Sequence, residues 1–369
     1  MGLEVALLQR NELPELYRFR HDVFFGELRA HLSNEEVVRG YMVDALDEVA
    51  FNYALRDGPN IVGSLRTVDL ERVPSLAELE KKYSLMPILD RFSADAACQV
   101  GRLAIAPQCR SGVALTKLIK KAYEDCVRLR RRKVVVSDCS PYLLPVWEAL
   151  GYRCYGPAFN DPIYGLKLPI LLLLEDVAHL KAVHSPFAAV AAKIGVKADD
   201  SVRSWFSNTY PQFSSNSSGS TASTHGLPEK WLEQHSLFLG LGPEEVHSLL
   251  RDEVIVEVRP RDYLILRGLK EEHLYFVLEG TVEAVDEAGN VLAQFGKGDF
   301  VGEMAFLTGA VRTADVVVRE PAKCILITAR TFSKLDAAQP ALYGKVMRNI
   351  ARTLAVRLQA TGVRSRSEV

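Results

Sequence analysis

Residues 207–226 read SNTYPQFSSNSSGSTASTHG, a stretch dominated by Ser, Thr and Asn, with one Pro and no aliphatic residue larger than Ala. Such a segment cannot bury enough apolar area to offset the entropy of ordering it. It therefore reads as a flexible linker, 207–227, between two bodies, 1–206 and 228–369, each the size of an ordinary domain. No internal repeat recurs on either side.

Composition narrows the classes. Hydrophobic residues make up 48% and charged residues 25%, enough apolar matter for packed cores and too much for wholesale disorder. The 45 Lys+Arg against 46 Asp+Glu give a net charge of −1, which argues against nucleic-acid binding through a chain-wide basic surface. The densest apolar run, Leu168–Leu174, is too short for a membrane span and contains Pro169. The N-terminal stretch lacks a basic region ahead of an apolar one, so no secretory signal is expected, and Ala6 breaks the myristoylation pattern. Cys98, Cys109, Cys126, Cys139, Cys154 and Cys324 form no CxxC pair and have no His at metal spacing. They read as reduced, mostly buried thiols of a cytoplasmic protein with no metal.

Periodicity assigns the elements. Helices are expected over 12–32, 112–129 and 143–150, with strands at 49–55, 61–65, 101–106, 134–137 and from 152. Strands alternating with helices imply an α/β sheet covered on both faces. The second body opens with two short helices, PEKWLEQ and PEEVHSLL. Seven short strands follow (VIVEV, DYLIL, LYFVL, TVEAV, VLAQF, ADVVV, CILIT), a small β-barrel pattern closed by an amphipathic helix over 339–359.

The segment Phe300–Ala314, FVGEMAFLTGAVRTA, resembles the cyclic nucleotide-binding domain family, and the resemblance extends over about 228–360. An Arg follows nine residues after the Glu of a Gly-Glu pair, as Arg312 follows Glu303. The residue types suit the chemistry. Backbone N–H groups of Glu303, Met304 and Ala305 at a helix start face a phosphate oxygen, and Gly302 permits close approach. Arg312 meets the phosphate charge with a planar fork. Glu303 accepts from a ribose 2′-hydroxyl, and Thr313 reaches purine or phosphate. The ligand implied is cAMP or cGMP. About ten residues follow the closing helix, which leaves no room for a helix-turn-helix DNA reader; that helix either pairs in a homodimer or packs on its own barrel.

Cys98–Leu118, CQVGRLAIAPQCRSGVALTKL, resembles the strand-loop-helix of the GNAT superfamily of N-acyltransferases. The resemblance implies a phosphate site for the acyl donor at Arg110, Ser111, Gly112, Val113 and Ala114. The loop is about one residue short, and Cys109 stands where Arg or Gln is usual. Trp147–Tyr152, WEALGY, is similar to the closing helix and strand of the family, but Trp147 replaces the Tyr that protonates the leaving thiolate, and an indole does not titrate. Tyr142 is the candidate substitute. Arg20 with Val23-Phe24, Asp44-Ala45-Leu46-Asp47, Gly63–Arg66 and Gln99–Arg102 resemble autoinducer synthases and the related N-acyl amino acid synthases. Gln99 in place of an acidic residue, and Ala30 in place of a Trp, favour the second branch. The resemblance covers about 1–190.

The expected fold is an α/β GNAT-like N-acyltransferase domain followed by an α+β cyclic nucleotide-binding β-barrel domain. The expected reaction is aminolysis of a thioester, with acyl-CoA or acyl-ACP as donor and a small amine such as an amino acid as acceptor. Asp44 or Asp47 serves as base, Arg20, Arg66 and Arg102 hold an acceptor carboxylate or order loops, and the amide of Ile105 meets the oxyanion. The run Arg128–Lys133 reads either as a solvated helix end or as a docking face for acyl carrier protein. A protein-lysine acetyltransferase and a non-catalytic sensor of acyl thioesters are the alternatives.

Overall fold

The apolar runs of the first body become the inner strands of one mixed sheet. The computed structural model describes residues 2–27, 37–38, 40–110, 112–214, 235–251 and 253–367. It falls into two units, Met1–Gly219 and Ser220–Val369. The strands of the first are β1 (Glu4–Leu7), β2 (Val37–Val38), β3 (Tyr41–Met42), β4 (Phe51–Asp57), β5 (Asn60–Asp69), β6 (Ala97–Ile105), β7 (Val134–Cys139), β8 (Arg153–Cys154), β9 (Phe159–Asp161) and β10 (Gly165–Leu173). The large sheet runs β1-β4-β5-β6-β7-β10-β8, with β9 added along β10, while β2 and β3 pair separately.

In the large sheet β6 and β7 are the parallel pair, and the pairing is short. Ala97, Cys98 and Gln99 stand opposite Val134, Val135 and Val136. Beyond them β6 continues along β5 and β7 along β10, so the strands part into a V. A bulge sets the divergence. Ser64 faces Ala104 but Arg66 faces Gly101, and Arg102, the extra residue, takes φ 55°. The Val100 carbonyl accepts from Gln99 Nε2 at 2.7 Å and from the Ser137 hydroxyl at 2.9 Å, side chains serving where the parallel ladder stops.

Both faces are covered. Leu65, Val100, Val135 and Leu172 meet Ile119, Ala122 and Tyr123 of the helix Gly112–Arg128, and Tyr123 stacks on Phe187 of the helix Pro186–Ile194 with ring centroids 4.7 Å apart. On the opposite face Val134, Val136, Leu171 and Leu173 pack with Leu79, Tyr83, Ile88, Phe92 and Phe206. The helix expected over 12–32 is α-helical at Leu13–His21 and π-helical at Asp22–Glu27; Ala30 lies outside the described residues.

The expected linker start at Ser207 is corrected. The helix Ser201–Thr209 runs through it and the turn Pro211–Ser214 follows. Phe206 and Tyr210 are buried and Phe213 packs against the same core. The expectation weighed aliphatic residues, whereas aromatic rings supply the burial here. Residues 215–226 and the PEKWLEQ segment, 228–234, lie outside the described residues.

The second unit holds β11 (Val254–Val258), β12 (Tyr263–Ile265), β13 (His273–Val285), β14 (Val291–Phe295), β15 (Phe300–Val301) and β16 (Asp315–Thr328). They run β11-β16-β13-β14, with β12 on β16 and β15 on β13. The expected LYFVL and TVEAV are one strand, β13, and ADVVV and CILIT are another, β16; the pair is irregular in register around Gly280. Helix Ala329–Ala338 leads into the closing helix Pro340–Ser367. Leu342, Val346 and Ile350 of the closing helix share a core with Phe276, Phe300 and Ile325.

Gly280, at φ 82°, shows why β13 and β16 bend together. A Cβ there would stand 2.2 Å from the Pro321 carbonyl oxygen and 2.8 Å from Ala322 Cα, both backbone atoms that cannot swing aside. Gly280→Ala is expected to cost about 1–3 kcal/mol of stability. Denaturant melts of the two proteins measure it, and an unchanged transition would show that the crossing has slack.

Candidate functional site

The five residues expected to do chemistry in the first unit meet in one buried network. Arg20, on the first helix, is fully buried and donates to Asp47 Oδ1 at 2.8 Å, Ser64 Oγ at 2.8 Å and Asn52 Oδ1 at 2.5 Å. Arg66 on β5 donates to Asp44 Oδ1 at 2.6 Å and Asp47 Oδ2 at 2.9 Å. Arg102, turned inward by the bulge, donates to Asp44 Oδ2 and, at 2.8 Å, to the Tyr164 hydroxyl. Asp44 also caps the 3-10 turn Ala45–Glu48 by accepting from the Leu46 amide at 2.9 Å.

That closure sets the electrostatics of the residues expected to act as base. Burial pushes the Asp44 carboxyl up, but Arg66 and Arg102 outweigh it and hold it well below the usual carboxylate range. A carboxylate so stabilised is a poor proton acceptor at neutral pH. Both oxygens of Asp47 are likewise occupied by arginines. Burial draws the Arg20 guanidinium down to about 10, partly offset by Asp47, so it stays charged.

The mouth of the V lies beside this network. Ala106 N–H donates to the Val62 carbonyl at 2.9 Å, which makes the adjacent Ile105–Gly63 pair the non-bonded one. The peptide groups of Ile105 are therefore turned away from β5, toward the V. Its carbonyl accepts from Arg110 Nε at 3.0 Å. Gly112 and Val113 are exposed at the start of the helix Gly112–Arg128, and Ala114 is buried beneath them; Ser111 lies outside the described residues. Trp147 is buried edge-on to Tyr152 with centroids 4.9 Å apart, and Tyr142 is half-buried. Next to Trp147, burial pushes the half-buried Glu148 carboxyl up to about 7, a titratable group the sequence did not single out.

Part of the basic run is paired inside the unit, as the helix-end reading expects. Arg130 pairs with Asp69 at 2.7 Å and lies 4.4 Å over the Phe51 ring, and Arg132 pairs with Asp69 and Glu71 at 3.0 and 2.7 Å. Arg128 and Lys133 pair with Glu124 and Glu175. Arg128, Arg131 and Lys133 remain largely exposed.

In the second unit the turn before the helix Glu303–Thr308 carries the other site. Gly302 has φ 95°, and a Cβ there would stand 2.9 Å from Arg312 Nη1 and 3.0 Å from Ile265 Cδ1. Arg312 is buried and donates to the carbonyls of Gly302 and His273 at 2.7 and 2.6 Å. Among the described residues its buried Nε has no hydrogen-bond partner, and burial draws the guanidinium below its usual range. Its N–H donors meet neutral carbonyls, with Glu271 and Glu303 the carboxylates acting on it, so its fork is open to exchange for an anion. Glu303 is buried, with Oε1 accepting from Arg357 of the closing helix at 3.0 Å. Arg357 also donates to the Phe300 carbonyl at 2.8 Å and lies 4.8 Å over the Phe295 ring. Ala305 is buried, while Met304 and Thr313 are exposed beside the turn. Arg357, 54 residues from Glu303, was not visible to a motif reading.

The network generates a stability prediction. Asp47→Ala leaves Arg20 and Arg66 with reduced compensation and is expected to cost about 3–5 kcal/mol, read by urea unfolding; a loss below about 1 kcal/mol would rule out a structural role. Because the folded pKa of Asp44 lies below its unfolded value, its contribution is full above about 4 and fades as pH falls below that. Stability of wild type measured from pH 6 down to 2 should drop through the acid range.

Comparison with known proteins agrees with this division. Residues 19–120 match the model of the acetyltransferase (GNAT) domain and residues 255–338 that of the cyclic nucleotide-binding domain. Glutaminase 2 of Bradyrhizobium diazoefficiens is 29% identical over 133 residues, 36% of this chain and 21% of that protein. An uncharacterized NTE family protein of Mycobacterium bovis is 31% identical over 97 residues, 26% of this chain and 17% of that protein. The chain thus spans about a fifth of the length of these relatives. A cyclic nucleotide-binding domain from Methylobacillus flagellatus is 23% identical in a structural match covering 38% of this chain and 85% of that one, with a TM-score of 0.35. The chain joins a GNAT-like N-terminal domain to a C-terminal cyclic nucleotide-binding β-sheet domain.

Proposed function

We propose that this protein is an N-acyltransferase regulated by a cyclic nucleotide. It moves an acyl group from an acyl thioester to the amine of a small acceptor such as an amino acid. The observation that carries the reading is the V between β6 and β7, with the peptide of Ile105 turned into it and the exposed start of the helix Gly112–Arg128 at its rim. A backbone N–H aimed into a gap where a thioester carbonyl fits stabilises the oxyanion of the tetrahedral intermediate. A helix start with no side chain at Gly112 receives phosphate oxygens of the donor. Acyl-CoA is favoured over acyl-ACP, because Arg130 and Arg132 are committed to Asp69.

The regulatory half rests on Arg312, a buried cation whose Nε lacks a partner among the described residues, beside a turn that favours glycine. A cyclic phosphate supplies one negative charge at that spot, and the free oxygen of Glu303 suits a ribose hydroxyl.

Two outcomes follow. Calorimetry with cAMP and with cGMP should detect binding of at least one, and Arg312→Ala should lose about 2–4 kcal/mol of it; equal affinity in both proteins sinks the pocket. Thiol release from acyl-CoA by the full chain should change severalfold on adding saturating nucleotide. Identical rates with and without nucleotide would end the regulatory reading while leaving the acyl transfer standing.

A further inference from the structure

Asp138 and Lys167 are polar groups at the mouth of the V that the mechanism so far leaves without work. Asp138 is the fifth residue of β7, and continuing the parallel register places it opposite Gly101, beside the bulge that carries Arg102. Its Oδ2 accepts from the buried Tyr83 hydroxyl at 2.6 Å. Among the described residues its Oδ1 takes no partner, and Asp138 is half-buried rather than sealed. Lys167 on β10 is half-buried too. Its Nζ donates to Ser140 Oγ at 2.9 Å and lies 5.1 Å from the Tyr164 ring centre, and among the described residues it forms no ion pair.

The register puts both on one face. Pro169 stands opposite Asp138, and Lys167 lies two residues along β10 from Pro169. This is the face of Val134, Val136, Leu171 and Leu173, where Tyr83 and Phe159 also pack. Phe159 is the cross-strand neighbour of Lys167 on β9. Diagonal neighbours on one face of a sheet stand roughly 7–8 Å apart, so the carboxylate and the ammonium can reach the two ends of one small zwitterion. A lone cation and a half-engaged carboxylate in a partly desolvated mouth are costly unless a complementary ligand visits.

We infer that Asp138 and Lys167 form the acceptor subsite for an α-amino acid, Lys167 taking its carboxylate and Asp138 its ammonium. Phe159 and the Tyr164 ring supply apolar surface for its side chain. This rests on the acyltransferase reading above. In the transfer, the ammonium gives one proton to Asp138, and the nitrogen lone pair forms the C–N bond at the thioester carbonyl carbon. The C–S bond breaks with its electron pair on sulfur. The second N–H proton, released as the amide forms, neutralises the thiolate. Asp138, which receives that first proton, differs from Asp44 in that no arginine among the described residues is bonded to it.

The test uses the full-length protein, with acetyl-CoA and palmitoyl-CoA as donors and two matched pairs of acceptors: leucine against isopentylamine, and phenylalanine against phenethylamine. Thiol release is followed and the amide identified by mass spectrometry. Wild type should prefer the amino acid of each pair by at least roughly tenfold in kcat/KM, since a site with a cation for a carboxylate rejects the analogue lacking it. Lys167→Gln should erase that preference through KM, Lys167→Arg should restore it, and Asp138→Asn should lower kcat with both members of each pair. Rescue by arginine separates charge recognition from folding. If wild type acylates amine and amino acid equally, or Lys167→Gln keeps the preference, the subsite is wrong and the acyltransferase reading stands. If no acceptor is acylated with either donor, both fall.

Discussion

Three guanidiniums and two carboxylates share one buried cluster, and the first unit is arranged around keeping them paired. Arg20 comes from the first helix, Asp44 and Asp47 from the cap and body of the turn Ala45–Glu48, Arg66 from β5 and Arg102 from β6. Each charge in such a cluster would cost several kcal/mol if left without its partners, so the network ties four separate elements to one geometry. It also explains why a non-glycine residue sits at φ 55° in β6: the bulge is what turns Arg102 inward to Asp44. The same bulge parts β6 from β7. The ion pairs and the V are therefore two consequences of one irregularity.

That arrangement divides labour between holding and reacting. A carboxylate gripped by two arginines is kept ionised at the expense of basicity, so Asp44 and Asp47 suit a scaffold. Groups fit for proton transfer must be less completely paired. Glu148, with its carboxyl pushed up to about 7 by burial alone, and Asp138, with one oxygen unengaged, meet that condition by opposite routes. Trp147 meets it by neither.

What the sequence disclosed followed the range of the interaction. The Gly-Glu pair and the Arg nine residues on were legible because the close approach at Gly302 and the reach of Arg312 are set within one turn and one loop. The bodies on either side of the Ser/Thr/Asn-rich stretch were legible from composition, but its edge was not, because Tyr210 and Phe213 are sparse rings that pack against residues far away in the chain. The four motifs containing Arg20, Asp44, Arg66 and Arg102 were found singly; that they bond to one another depends on contacts 19 to 58 residues apart. The run Arg128–Lys133 looked solvated because Asp69, its main partner, lies 61 residues upstream of Arg130. Asp138 and Lys167 carry no motif at all, since what joins them is a strand register.

In the second unit, the groups that a cyclic nucleotide would engage are already engaged by the protein, and unequally. Arg312 donates to two carbonyls, neutral acceptors that an anion outcompetes at little cost. Glu303 is held by a cation on the closing helix, an ion pair only 10% and 26% exposed at its two side chains. A ribose hydroxyl can use the second oxygen of Glu303 without breaking that pair, but it draws charge from the oxygen Arg357 holds. Binding alters another part of a protein only if the ligand favours one of two arrangements over the other. The element in direct contact with Glu303 is the closing helix, whose N-terminal half is fixed in the barrel core by Leu342, Val346 and Ile350. Leu354 still packs against that core, and one turn further on Arg357 contacts the turn that carries Glu303.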